Sequence, residues 1–187
     1  MRSSLSRRVS PPPITSCRKL PVPPQTVFGY LDDLANHVNM APRSALVMSL
    51  GPGPRGLGHA VVRLTGPLGL RRTATTEIIR ADAPGFIAGR ARVGSRTQAC
   101  VTWQIAADEE GSDVTLSASI EAAAPLDALV LRLGGRRWIA RRFATALDTL
   151  AGLLAAAGEG EHPRPGHPPA YVLPPVSATR PAGERAP

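Results

Sequence analysis

The hydrophobic pattern of the chain changes its period twice. Residues 14–22 predict a first strand, which Pro23 and Pro24 end. Proline fits the first turn of a helix, because its missing N–H group has no partner there anyway. Apolar residues then follow at helical spacing, namely Val27, Phe28, Tyr30, Leu31 and Leu34. We therefore expect a helix of two to three turns and a second short turn at residues 34–38, with Pro42 closing the unit.

From Ser44 onward the apolar positions alternate with polar ones, which is the period of a half-buried strand. Turn signals rich in glycine and proline divide this stretch into six further strands. Short strands joined by hairpin-like turns predict an antiparallel sheet. Pro125 then opens a helical stretch to Ala157, in which Gly134 and Gly135 predict a kink or break, since each costs about 1 kcal/mol in a helix interior.

The helical stretch carries two apolar rows. The first row is Leu126, Leu129, Val130 and Leu133, and the second is Ile139, Phe143, Leu147, Leu150 and Leu154. Both rows have the spacing of an amphipathic helix.

Strand alternation separates an uncharged face from a charged one. The charged parity includes Arg63, Glu77, Arg90 and Arg92. The other parity holds no ionisable group and is expected to face the long helix, because a slip of one residue would bury unpaired arginines. Its members are Ala60, Val62, Leu64, Ala74, Thr76, Ile78, Ile87, Gly89, Ala91, Val93, Val101, Trp103, Ile105, Val114, Leu116, Ala118 and Ile120. Several are small, so either the sheet closes on them or a cavity remains.

Composition removes several classes of function. The net charge of +8 is concentrated in the first 20 residues, and only seven aromatic residues occur, so we expect no nucleic-acid partner. Residues 1–13 are read as a flexible basic arm without a secretory signal, and residues 158–187 as a disordered proline-rich tail. No apolar run approaches a membrane span.

Candidate catalytic chemistry is sparse. Cys17 and Cys100 make neither a metal spacing nor a disulfide framework, which favours a reducing, cytoplasmic setting. The glycine-rich residues 51–58 lack the Gly-Lys-Ser/Thr ending of a phosphate loop. No nucleophile elbow and no acid pair on the uncharged face occur, and His37 is isolated in the sequence. We therefore predict no catalytic residues, no metal and no cofactor.

The order of elements resembles the START-like superfamily, also called SRPBCC or the birch-pollen-allergen fold. The resemblance is carried by "VPPQTVFGYLDDLANHVNMAP", "GLG", "IIRADAP", "VTW", "GSDVTLSASIE" and "LDTLAGLLAAA". It implies an α+β helix-grip domain over residues 14–157. In that fold a seven-stranded curved antiparallel sheet wraps around a long C-terminal helix, with two short helices after the first strand. Bacterial members of the superfamily are often labelled polyketide cyclase or dehydrase-like.

The uncharged face and the resemblance together favour a non-catalytic binder or carrier of a hydrophobic, lipid-like or polyketide-like molecule. The expected ligand contacts are Val62, Thr76, Ile78, Ile87, Ala91, Val101, Trp103, Leu116, Ala118, Phe143 and Leu147, with polar contacts from His59 and Tyr30. One alternative is a polyketide cyclase or aromatase. Another is an accessory module that contacts a protein or a membrane surface through its basic arm and Arg136, Arg137, Arg141 and Arg142.

Overall fold

The computed structural model describes residues 11–40, 45–53, 58–66 and 69–159. Gly158 and Glu159 of the predicted tail belong to the last helix, so the helical stretch extends two residues further than predicted. The rest of the predicted tail and most of the predicted arm lie outside the described residues. The described part of the chain contains seven strands and four α-helices. Their bounds are β1 Ile14–Leu20, α1 Pro24–Leu31, α2 Leu34–Asn39, β2 Ala45–Pro52, β3 Gly58–Thr65, β4 Arg71–Asp82, β5 Phe86–Val93, β6 Thr97–Asp108, β7 Gly111–Ala122, α3 Pro125–Val130 and α4 Arg136–Glu159.

All seven strands form one antiparallel sheet in the order β1-β7-β6-β5-β4-β3-β2. The sheet is curved and wraps around the long C-terminal helix, with the two short helices after the first strand. This confirms the predicted α+β helix-grip architecture. Because β1 pairs with β7, the first and the last strand of the domain are neighbours in the sheet.

The Pro-Pro entrance of α1 behaves as its sequence predicts. Pro23 has extended backbone angles and its carbonyl accepts the amide of Thr26 at 3.0 Å, while Pro24 occupies the first helical turn. Val27 and Leu31 of α1 are fully buried. The helix packs against β6 and β7, so it closes one end of the curved sheet.

The C-terminal helix breaks at the glycine pair, as predicted. A π-helical turn, Leu131–Gly135, separates α3 from α4, and Gly134 adopts a φ of 110° that favours glycine. The second apolar row packs well, since Leu147, Leu150 and Leu154 are buried. The first row does not, because Leu126, Leu129 and Leu133 remain exposed on and just after the short helix α3.

Strand pairing confirms the predicted parity. Ile78, Gly89, Val101, Ala118 and Ile14 are paired in one row across five strands, so they share the face of the sheet on which α4 packs against β1 and β7. We call this face of the sheet the inner face. Arginine does occur at its margins, however. Ser16 and Arg18 of β1 and Arg72 of β4 share the inner parity, outside the set that alternation identified.

Candidate functional site

The two inner-face arginines form ion pairs with acids of the helical segments. Arg18 forms an ion pair with Asp148 of α4, and Arg72 forms one with Asp127 of α3. Asp127 also accepts a hydrogen bond from the hydroxyl of Thr97. These charges therefore pair with acids from the helices, and the floor between them stays apolar.

Helix α4 lies along one side of the inner face. It packs chiefly against β1 and less extensively against β7. The hydroxyl of Ser16 donates to the carbonyl of Ala140 at 3.0 Å, and Arg136 donates to the carbonyl of Pro12. The helix thus runs beside the β1 edge of the sheet, which leaves the inner face of β3 to β6 less completely covered.

The predicted ligand contacts divide into buried and half-buried residues. All eleven predicted apolar-site residues belong to the inner face or to α4. Six are buried, namely Ile78, Ile87, Trp103, Leu116, Ala118 and Leu147. Five are only half-buried, namely Val62, Thr76, Ala91, Val101 and Phe143. Four of these five lie on β3, β4, β5 and β6, one on each strand, where α4 is not the main packing partner.

A histidine lies at the closed end of this surface, where α1 and α2 meet the sheet. The ring of His37 meets Trp103 edge to face, with ring centroids 5.7 Å apart. Its Nε2 atom donates to the carbonyl of Leu31 at 2.6 Å, so the neutral imidazole keeps Nδ1 as an acceptor. Burial is the main cause that lowers the pKa of His37 below its usual value, which favours the neutral ring.

Sequence reasoning missed His37, because no neighbouring residue in the chain marks it. Its partner Trp103 is 66 positions away, and only the packing of the two short helices against the sheet brings the two rings together. A weak local signal is the position of this histidine within the short helical segment "LANHVN".

Tyr30, a predicted polar contact, is half-buried on α1. Desolvation by burial raises the pKa of its phenol, and a hydrogen bond with Asn39 opposes this shift. The phenol is therefore protonated at neutral pH and able to donate a hydrogen bond.

His59, the other predicted polar contact, belongs to the opposite face of the sheet. It is paired with Glu77, which in turn is paired with Arg90, and all three have the outward parity. A shallow concavity of about 180 Å³ is lined there by His59, Thr75, Thr76, Glu77, Arg90 and Arg92. Thr76, which has the inner parity, is the one predicted inner-face contact among these lining residues. The structure therefore does not bring His59 together with the apolar inner-face residues.

The four arginines of the predicted basic patch differ in their contacts. Arg136 is engaged with Pro12, whereas Arg137 and Arg141 are exposed. The guanidinium of Arg142 lies 5.2 Å above the ring of Trp138. Within the described ranges, no group of three or more His, Cys, Asp or Glu side chains is placed to hold a metal ion. Nor does any helix there have the length and apolar character to cross a bilayer.

Comparison with known sequences identifies the class of protein. The sequence model of the family "Polyketide cyclase / dehydrase and lipid transport" matches residues 13–155. The chain belongs to this family. No curated protein sequence matches it.

Solved structures with the same fold are distant in sequence. TTHA0849 from Thermus thermophilus is similar with a TM-score of 0.61 and 21% identity, over 78% of this chain and 99% of that chain. Ms6760 from Mycobacterium smegmatis has a TM-score of 0.57 at 18% identity, over 79% of this chain and 91% of that one. The di-domain ARO/CYC StfQ from the steffimycin biosynthetic pathway has a TM-score of 0.63 at 12% identity, over 79% of this chain and 52% of that one. At these identities the likeness concerns the fold alone.

Proposed function

We propose that this protein binds or carries a hydrophobic small molecule between the inner face of the sheet and α4. The observation that carries the proposal is the half-burial of Val62, Thr76, Ala91 and Val101 on an inner face whose arginines are both paired at its margins. When a ligand covers apolar side chains that are partly in contact with water, binding is favoured by about 25 cal/mol for each Å² of apolar surface that is buried. A lipid-like or polyketide-like molecule suits a floor of this kind.

Small side chains support the same proposal. Ala91 of β5 and its partner Ala99 of β6 are both small and half-buried, so they leave space above this part of the inner face. The free thiols of Cys17 and Cys100 support the further proposal of a reducing, cytoplasmic setting.

The test is an Ala91→Phe variant with an apolar fluorescent probe. Phenylalanine at this half-buried inner position fills the space above β5, so probe affinity should fall about tenfold or more while the fold survives. Ala106→Phe is the matched control, because Ala106 is exposed on the outer parity of β6. Equal affinity in both variants, or no probe binding by the wild type, would contradict the proposal. Native mass spectrometry of protein from its own host would identify a retained ligand.

A polyketide cyclase or aromatase is the second candidate function. It is favoured by His37, a half-buried imidazole beside Trp103 whose lowered pKa favours the neutral ring, because a general base needs an acceptor nitrogen close to the substrate. Cyclisation of a poly-β-ketone substrate should then be lost in His37→Gln while probe binding is kept. A carrier without chemistry would give no cyclised product in either protein.

A further inference from the structure

Helix α3 and the turn that follows it present an apolar surface that the described part of the chain leaves uncovered. Leu126, Leu129 and Leu133 are exposed by 57%, 52% and 78%, and no residue of α3 is buried. We call these three residues the leucine row. Leu126 and Leu129 are three residues apart on α3 and share one side of that helix, and Leu133 follows in the π-helical turn. Contiguous exposed apolar side chains of this size are typical of an interaction surface rather than of ordinary protein surface.

The position of α3 gives the leucine row a functional context. The ion pair of Asp127 with Arg72 and its hydrogen bond from Thr97 hold α3 at the first residues of β4 and β6. Helices α1 and α2 close the opposite end, where β6 meets His37 through Trp103. The leucine row therefore lies at the end of the inner face that α1 and α2 leave open.

The charge around the leucine row is positive. Residues 125–142 contain five arginines and one acid, Asp127, which is already paired with Arg72. Arg132, Arg137, Arg141 and Arg142 are exposed. Trp138 is half-buried beneath Arg142, and tryptophan is a residue that favours the boundary between an apolar phase and water.

We propose that the leucine row and these arginines dock the protein on a membrane surface that carries anionic phospholipids. The leucines enter the boundary between headgroups and acyl chains, and the arginines interact with the phosphates. An anionic bilayer fits better than an apolar protein partner, because exposed arginines follow the leucine row without any exposed acid among residues 125–142. Docking here would place the open end of the inner face against the lipid, where a ligand could pass between protein and bilayer. This role in ligand exchange rests on the proposed function, whereas docking itself does not.

The experiment is co-sedimentation of the full chain with vesicles. One set contains phosphatidylcholine alone, and the other an equal mixture with phosphatidylglycerol. The wild type should sediment with the anionic vesicles and dissociate as salt is raised. The double variant Leu129→Ser/Leu133→Ser should bind at least roughly tenfold more weakly, because the apolar contacts are lost. Arg137→Gln/Arg141→Gln should bind about 25-fold more weakly, from a factor of about five per arginine.

Two matched controls separate docking from general effects. Leu153→Ser removes an exposed leucine of α4 outside the leucine row, and Arg63→Gln removes an exposed arginine from the outer face of β3. Both should bind vesicles like the wild type. An equal loss in the controls, or no sedimentation of the wild type, overturns the proposal. So does a concentration-dependent dimer that the leucine double variant abolishes, because a second copy would then cover the surface.

Probe binding without vesicles keeps the two proposals distinguishable. The leucine and arginine variants should bind the apolar probe like the wild type, since they leave the inner face unchanged. Vesicle docking without any probe binding would refute the proposed ligand function and leave membrane docking standing. Probe binding without vesicle docking would refute docking alone.

Discussion

The imidazole of His37 and the indole of Trp103 meet edge to face, with centroids 5.7 Å apart, where α2 closes one end of the curved sheet. The contact joins a helix from the first quarter of the chain to a central strand. It also keeps a titratable group in surroundings that disfavour its charge, since burial lowers the pKa of His37.

Stability should therefore depend on pH through His37. The unfolded chain protonates histidine near its ordinary pKa of about 6.5, whereas the folded chain does so only at lower pH. The stability that neutral His37 contributes is fully present above the pKa of the unfolded state. It is lost as pH falls through the pKa of the folded state. Urea unfolding between about pH 7 and about pH 5 should show a larger loss for the wild type than for His37→Gln. Equal losses would show that His37 protonates alike in both states.

The two inner-face alanines should respond differently to enlargement. Ala118 is 5% exposed and is paired with Ile14 and Val101, so Ala118→Phe overpacks the core and should cost about 1–3 kcal/mol or more. Ala91 is half-buried, so Ala91→Phe should cost less than about 1 kcal/mol. Denaturant unfolding of both variants gives the comparison. A large loss in Ala91→Phe would mean that the inner face over β5 is closely packed.

Neutralising Asp127 should loosen α3. Its carboxylate accepts from Arg72 and Thr97, and its side chain is 15% exposed, so Asp127→Asn should cost roughly 1–2 kcal/mol. Hydrogen exchange of the α3 amides should accelerate while that of α4 stays slow. Asp148→Asn is the control, because the Arg18 pair is exposed by 43% and 60% and is expected to contribute less than about 0.5 kcal/mol. If the exchange rate of the α3 amides is unchanged in Asp127→Asn, contacts other than those of Asp127 hold α3 in place.

Substitution of two glycines by alanine should change the stability of the protein in opposite directions. A Cβ at Gly111, where φ is 150°, would lie 2.1 Å from the carbonyl oxygen of Leu20, so Gly111→Ala should cost about 1–3 kcal/mol or more. Gly152 is exposed within α4, and a Cβ there would meet no other atom within 4 Å, so Gly152→Ala should stabilise by about 0.5–1 kcal/mol. Thermal unfolding of both variants measures the contrast. A neutral Gly111→Ala would indicate that the β6–β7 turn moves away from β1 at little cost.

The thiols should remain unpaired. Cys17 on β1 and Cys100 on β6 are separated by β7, and two strand spacings of about 4.8 Å exceed the Cα limit of about 7 Å for a disulfide. Both should alkylate fully under denaturing, non-reducing conditions. In the folded protein the exposed Cys17 should react faster than the half-buried Cys100. A blocked pair in each chain would be incompatible with this strand order.

The sequence by itself determined the features that depend on neighbouring residues. The Pro-Pro entrance sets the start of α1, and the glycine pair sets the break between α3 and α4, because both act through local backbone sterics. Strand parity separated the inner from the outer face, because the side-chain period of a strand is two. The free cysteines also followed once the strand order was inferred from the resemblance.

Only the tertiary structure decided how these elements meet. Helix α4 lies along β1, where Ser16 and Arg18 contact residues more than a hundred positions away. The same long-range packing buried Leu147, Leu150 and Leu154 of the second apolar row and left the leucine row exposed, although both rows have the same local pattern. It also brought His37 to Trp103 and turned His59 to the outer face. Local periodicity specifies which side of an element is apolar, but which surface covers that side depends on contacts between segments that are distant in the chain.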